Sequence, residues 1–218
     1  MARVAPVDRF EFERALWTRG IGRIAGVDEA GRGPLAGPVV AAAAILPAQW
    51  AKAGLPRELD GLNDSKQLTA AQREKFFAYL TAAGEVEYAI AQMDSVQIDA
   101  INILRATHQA MNAALAELVP RPQHVLVDGR PVKTMRLPQT AIIKGDARSY
   151  SIAAASVLAK VTRDRLMREF DRQFPDYGFA AHKGYGTVQH LAAIAAHGPC
   201  PIHRKSFAPL KPEEPKLF

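Results

Sequence analysis

What this 218-residue chain has little of narrows the field first. Cys200 is its only cysteine, so no internal disulfide can form, and the expected setting is a reducing cytoplasm. No apolar run approaches the ~20 residues a membrane span needs. The opening MARVAPVDRFEFERALW carries acids and aromatics in place of a basic start and a leucine-rich block, so no secretory signal is expected. No stretch repeats elsewhere in the chain. Only APLKPEEPKLF, at the end, is biased enough to predict a tail without fixed structure over 208–218. With 48% hydrophobic and 23% charged residues, the remainder is expected to fold as one domain over 1–207, helical from about residue 150.

Charge is unevenly placed. Residues 1–120 hold 12 basic and 14 acidic side chains, whereas 121–218 hold 16 and 8. A net charge of +6 concentrated in the second half favours a polyanionic partner, although solubility alone would also explain a basic chain.

Periodicity and punctuation predict the elements. A short helix is expected over 8–18 with Asp8 as cap, and two strands, 21–27 and 38–46, flank a Gly/Pro-rich turn. Four alanines at 41–44 weaken the second strand. Helices follow over 69–84, capped by Thr69, and over 94–118, capped by Asp94-Ser95, with Ile98, Ile101, Leu104, Met111 and Leu115 near one face. Further strands are expected at 85–93, 124–127 and 140–143, and further helices at 150–174 and 187–196. Strands joined by turns precede strands separated by helices, which predicts an α/β fold with a mixed sheet under helices.

Three of these strands run into acid: Asp28 with Glu29, Asp128, and Asp146 after a Lys-Gly. Taken singly, each acid suits a turn, a cap or a solvated loop. Together they suggest convergence beyond the ends of neighbouring strands. Converged carboxylates need a cation, and hard oxygen ligands select Mg²⁺ or Mn²⁺ over zinc. A pair of such ions ~3.5–4 Å apart suits phosphodiester hydrolysis. Strand alternation raises a difficulty, because Asp28 and Glu29 should point to opposite faces. Either the chain bends at Ala30-Gly31, or Glu29 contributes by another route such as its backbone carbonyl.

Gly31-Arg32-Gly33 opens no helix, which rejects a dinucleotide fingerprint, and it lacks the Gly-Lys-Ser/Thr end of a Walker loop. Its glycines suit close backbone approach to a ribose 2′-hydroxyl, or simply a tight turn with positive φ. In the 150–174 helix, Ser156, Lys160, Arg163 and Met167 share a face that would suit phosphates, as would any exposed basic stripe. In HKGYGT, residues 182–187, Tyr185 lies between glycines beside His182 and Lys183, placed either to stack on a base or sugar or to form a capped loop. His197, Cys200 and His203 supply only three ligands in a proline-rich loop and read as ordinary loop residues.

GVDEAGRGPLAGPVV from Gly26, NDSKQL at 63–68, VDG at 127–129, KGDARSYSIAAASVLAKVTRDRLM from Lys144, and HKGYGT occur in an order that resembles bacterial ribonuclease HII, the type 2 ribonuclease H. The resemblance runs from about residue 21 to 207. It implies an RNase H-like fold with a mixed five-stranded sheet, a helical C-terminal extension, and endonucleolytic cleavage of RNA in RNA/DNA hybrids and of single ribonucleotides in duplex DNA, leaving a 3′-hydroxyl and a 5′-phosphate. It also implies metal ligation by Asp28, Glu29, Asp128 and Asp146, 2′-hydroxyl reading by Gly31, Arg32 and Gly33, and junction stacking by Tyr185. Phosphate contacts are expected from Lys66, Ser156, Lys160, His182 and Lys183, and the protein is expected to be a monomer. The terminal Glu214-Pro215-Lys216-Leu217-Phe218 resembles the Gln-x-x-Leu-Phe peptide that binds bacterial sliding clamps, with Glu in place of Gln.

Overall fold

A computed structural model describes residues 8–211. Strands β1 (Ile24–Ala30), β2 (Val39–Ile45), β3 (Glu87–Met93), β4 (His124–Asp128) and β5 (Gln139–Ile142) form one sheet in the order β3-β2-β1-β4-β5. The first three pair antiparallel, whereas β1–β4 and β4–β5 are parallel. The expected mixed sheet is present. Its parallel half brings the ends of β1 and β4 side by side, with Val27 opposite Val127.

Helices α1 (Glu11–Trp17), α2 (Trp50–Ala53), α3 (Ala70–Ala82), α4 (Ser95–Ile101), α5 (Ile103–Glu117), α6 (Tyr150–Gln173), α7 (Phe179–His182) and α8 (Val188–His197) complete the fold. α6 crosses β1 and β2 on one face, and α5 covers β2 and β3 on the other. The alanines at 41–44, a doubtful strand by propensity, are buried in β2 on both faces. Their small side chains let both helices approach the sheet, so packing overrides local preference. Gly26 serves the same end: a methyl there would overlap the Ser151 backbone, and its absence lets the start of α6 settle on β1.

Some expected boundaries shift. Thr69 forms a full capping box with Gln72, an arrangement typically contributing ~1 kcal/mol. Asp8 accepts from the Phe10 N–H at 3.0 Å, ahead of the helix it was expected to cap. The single helix over 94–118 is two, because Asn102 has φ 67° and its side chain caps α5 through the Arg105 N–H. That break rotates the face: Ile98, Met111 and Leu115 are buried, whereas Leu104 is exposed. In the expected tail, 208–211 form turns in which Leu210 and Lys211 donate to the Phe207 carbonyl. The clamp-like peptide at 214–218 lies outside the described residues.

Candidate active site

β1 does not end at its acids. It stays paired with β2 through Ala30, with Asp28 opposite Ala42 and Glu29 opposite Ala41. The strand therefore keeps its alternation through Ala30 and turns only at Gly31, where φ is +96°, so the bend offered as one of the two alternatives does not bring Glu29 to the other acids. Asp28 faces α6. There it is joined by Asp128, the last residue of β4, and by Asp146, which sits in a 3₁₀ turn (Gly145–Ala147) just before α6. One carboxylate oxygen from each of the three lies within 4.8 Å of the others. Backbone donors hold the trio: the Glu29 N–H on Asp28 at 2.7 Å, the Gly145 N–H on Asp128 at 2.6 Å, and the Ala147 N–H on Asp146 at 2.9 Å.

Glu29 falls outside that trio. Its carboxylate pairs with Arg32 at 3.0 Å on the far side of the strand, lining the same cleft. Burial raises the Glu29 carboxyl, and Arg32 opposes the shift.

The trio carries an electrostatic cost. Burial, then Glu29 and Asp128, push the Asp28 carboxyl well above the usual aspartate range. Burial, Asp128 and Asp64 push Asp146 up to about 6. Lys66 is drawn in: burial works against its charge, but Asp28, Asp64, Asp146 and Asp128 together hold its ammonium above the usual value. Three all-oxygen donors with too little positive charge nearby fit a hard divalent cation, and Asp28, Asp128 and Asp146 are the residues placed to hold it.

The cleft has a volume of about 550 Å³ and continues past Glu29 to Gly31, Arg32, Gly33 and Tyr185. Gly31 is structural. It has φ +96°, and a methyl there would overlap Arg163. Gly33 is open, and the nearest atom to a methyl built on it would be Cε1 of Tyr185, at 3.7 Å. The Tyr185 ring is 46% exposed, while its backbone is fixed by His182, Thr187 and Nδ1 of His190. A free ring on a fixed backbone can stack without first being ordered.

Two buried arginines hold this wall. Arg204 donates to the carbonyls of Gly31 at 2.6 Å, Arg32 at 2.9 Å and Gly37 at 3.0 Å. Arg163 donates to Pro38 at 2.9 Å, Ala36 at 3.1 Å and Lys183 at 3.0 Å. Neither forms an ion pair with a carboxylate among the described residues. Burial pulls Arg163 down to about 10 and Arg204 to about 9, so both stay charged at neutral pH. Arg163 was expected on a phosphate-facing stripe, and no role was expected for Arg204. Of the stripe expected to face phosphate, Ser156, Lys160 and Arg163 line the cleft, Ser156 and Arg163 with little exposure, and Met167 lies inside.

The expected phosphate contacts divide. Lys66, Ser156 and Lys160 line the cleft. Ser156 hydrogen bonds Ser65 at 2.9 Å, and Lys160 pairs with Asp164 at 2.7 Å. His182 and Lys183 do not line it. The His182 Nδ1 accepts from the Gly184 N–H and its Nε2 lies 2.7 Å from the Tyr177 carbonyl, while Lys183 donates to the Ala180 carbonyl. Both side chains are spent on shaping the Tyr185 loop. His203 is likewise spent, on His190 and the Cys200 backbone, and His197 packs edge-on to Tyr177.

A mixed sheet whose parallel strands β1 and β4 bring Asp28 and Asp128 together beside Asp146 defines a metal-dependent hydrolase of the ribonuclease H type. Residues 25–210 match the family model of ribonuclease HII, and the chain belongs to that family. It is 53% identical to the ribonuclease HII of Geobacter metallireducens over 206 residues, 91% of this chain and 93% of the relative. Against that of Desulfitobacterium hafniense it is 50% identical over 214 residues, 96% and 79% of the two chains. Among solved structures, ribonuclease H2 from Pyrococcus horikoshii aligns with TM-score 0.70 and 30% identity over 86% of this chain and 95% of that one. A manganese complex of Bst-RNase HIII shares the fold, with TM-score 0.62 and 20% identity over 90% and 71%. The chain is accordingly a divalent-metal-dependent ribonuclease H endonuclease acting on RNA/DNA.

Proposed function

We propose that the protein cuts both RNA strands in RNA/DNA hybrids and single ribonucleotides embedded in duplex DNA, as a monomer serving replication and repair in the cytoplasm. The observation that carries this reading is the carboxylate trio, whose member Asp28 lines the same cleft as Gly33 and Tyr185. Mg²⁺ or Mn²⁺, as a pair, would activate water and stabilise the leaving oxygen when bound. Asp28, Asp128 and Asp146 would hold the ions, and Glu29 would join either by releasing Arg32 or through its backbone carbonyl.

The chain's own residues do the rest. Ser156 fixes the Asp28 carboxylate, and Lys66 offsets charge between the acids and the substrate phosphate. Lys160 adds a contact to the sugar-phosphate chain. The backbone of Gly31-Arg32-Gly33 reads the 2′-hydroxyl as donor and acceptor, so a deoxyribose leaves those groups unpaired. Tyr185 stacks on the sugar or base at the RNA–DNA junction. Water oxygen bonds to phosphorus as the P–O3′ bond breaks, and the departing oxygen takes a proton, giving a 3′-hydroxyl and a 5′-phosphate.

Tyr185→Ala tests the junction role. Stacking worth ~1–3 kcal/mol per base predicts a fall in kcat/KM of roughly 5- to 150-fold on a single-ribonucleotide duplex. A continuous hybrid should lose less, and equal losses would remove the tyrosine from junction reading. Residues 214–218 are proposed to bind a sliding clamp. A relative of the same fold from Archaeoglobus fulgidus was solved as a PCNA:RNase HII complex. Deleting 214–218 should abolish capture by immobilised clamp, and undiminished capture would end the idea.

A further inference from the structure

The N-terminal residues lie before the family-matched region, which begins at residue 25, yet one of their side chains reaches the turn that carries Asp146. Arg9 has four hydrogen bonds. Its Nε donates to the Ala147 carbonyl at 3.0 Å, and its Nη2 donates to the Asp146 carbonyl and to the Asn63 side chain, both at 2.8 Å. Nη1 donates to the Leu62 carbonyl. The Arg9 carbonyl in turn accepts the Tyr150 N–H at the start of α6, and the guanidinium lies 4.9 Å from the centre of the Tyr150 ring.

These partners belong to the two loops that flank the carboxylate trio. One is the turn carrying Asp146. The other runs from Leu62 into Ser65 and Lys66, where Asn63 passes the connection on by accepting the Asp64 N–H at 2.9 Å. Neither loop is part of the sheet. Three carboxylates that repel one another will separate unless the backbone beneath them is tied down, and in a three-residue turn, fixing the carbonyls of Asp146 and Ala147 fixes the Asp146 side chain. A planar five-donor guanidinium can span four acceptors on two loops, which an ammonium cannot do.

We propose that Arg9 is a positioning residue for the metal site, holding the Asp146 turn and the 62–66 loop at the spacing a divalent ion requires. This inference rests on the reading of Asp28, Asp128 and Asp146 as the ion's ligands. It makes the segment before the family-matched region a working part of the site.

Calorimetric titration with manganese chloride tests it on wild type, Asp28→Asn, Arg9→Met, Arg9→Lys and Arg14→Ala. Arg14, in α1 just after the turn that carries Arg9, bonds Asp8 and the Ala51 carbonyl, and so controls for loosening of this N-terminal segment. Loss of an outer-shell partner predicts Mn²⁺ affinity down by roughly 10-fold or more in both Arg9 variants. Arg14→Ala should keep the wild-type affinity, and Arg9→Lys should lower kcat on a hybrid while KM stays within about twofold. If Arg9→Met does not fold, Arg9→Lys decides. Wild-type affinity in that variant, or equal loss in Arg14→Ala, would overturn the positioning role. Equal Mn²⁺ binding by wild type and Asp28→Asn would instead overturn the assignment of the metal site, and the positioning role with it.

Discussion

Asp146 shows what a buried carboxylate costs before its cation arrives. Burial and the neighbouring Asp128 and Asp64 raise it to about 6, so the metal-free fold favours the protonated acid. A raised carboxyl contributes stability that is complete below its unfolded value, near ~4, and is lost as pH rises through the folded value. In EDTA, Asp146→Asn should therefore unfold at a higher temperature than wild type at pH 7.5. The expected gain is on the order of 1–3 kcal/mol, or roughly 2–10 °C, and it should vanish below about pH 4. Thermal melts across pH check this, and a gain unchanged at pH 4 would assign the effect to something other than charge. Saturating Mg²⁺ at pH 7.5 should reverse the order, since only the wild-type acid repays its cost by binding.

Among the elements, legibility in the sequence followed the kind of signal. The helices expected over 69–84, 150–174 and 187–196 are α3, α6 and α8 to within a few residues, and Thr69, Ser149 and Thr187 accept N–H groups at their starts. Three of the four acids were brought together as their strand-end positions suggested. What local pattern could not show was which way a polar side chain points once helices pack. Arg163 looked like surface charge and is buried under the Gly31 loop, and Arg204 had no pattern around it. Glu13 is equally hidden from sequence reading: it lies inside and takes the Ser149 hydroxyl at 2.6 Å, where burial raises its carboxyl. All three act through backbone groups or a hydroxyl distant in sequence, so no spacing rule marks them. The Asn102 break was missed for a related reason. A non-glycine residue at positive φ carries only a weak local signature, and here its side chain makes the cap that stabilises it.

Across the whole molecule, the proposed cutting and reading parts share one framework. β1 carries Asp28 toward the α6 face and ends at Ala30, directly before Gly31-Arg32-Gly33, so the residues proposed for metal and for ribose are separated by a few positions of the chain. Arg204 holds the 31–37 loop through three backbone carbonyls, and Arg163 ties that loop to the Tyr185 loop by donating to the carbonyls of Ala36, Pro38 and Lys183. The excess of positive charge in the second half of the chain suits a nucleic-acid partner. The central claim is that a ribose is recognised and the adjoining phosphodiester cut in one metal-dependent cleft. The most direct measurement incubates the protein with a DNA duplex containing one ribonucleotide and with its all-DNA twin, each in Mg²⁺ and in EDTA, and resolves the products by length. The account predicts one cut beside the ribonucleotide in Mg²⁺, none in the twin and none in EDTA. Cutting of both duplexes, or cutting that survives EDTA, would contradict it.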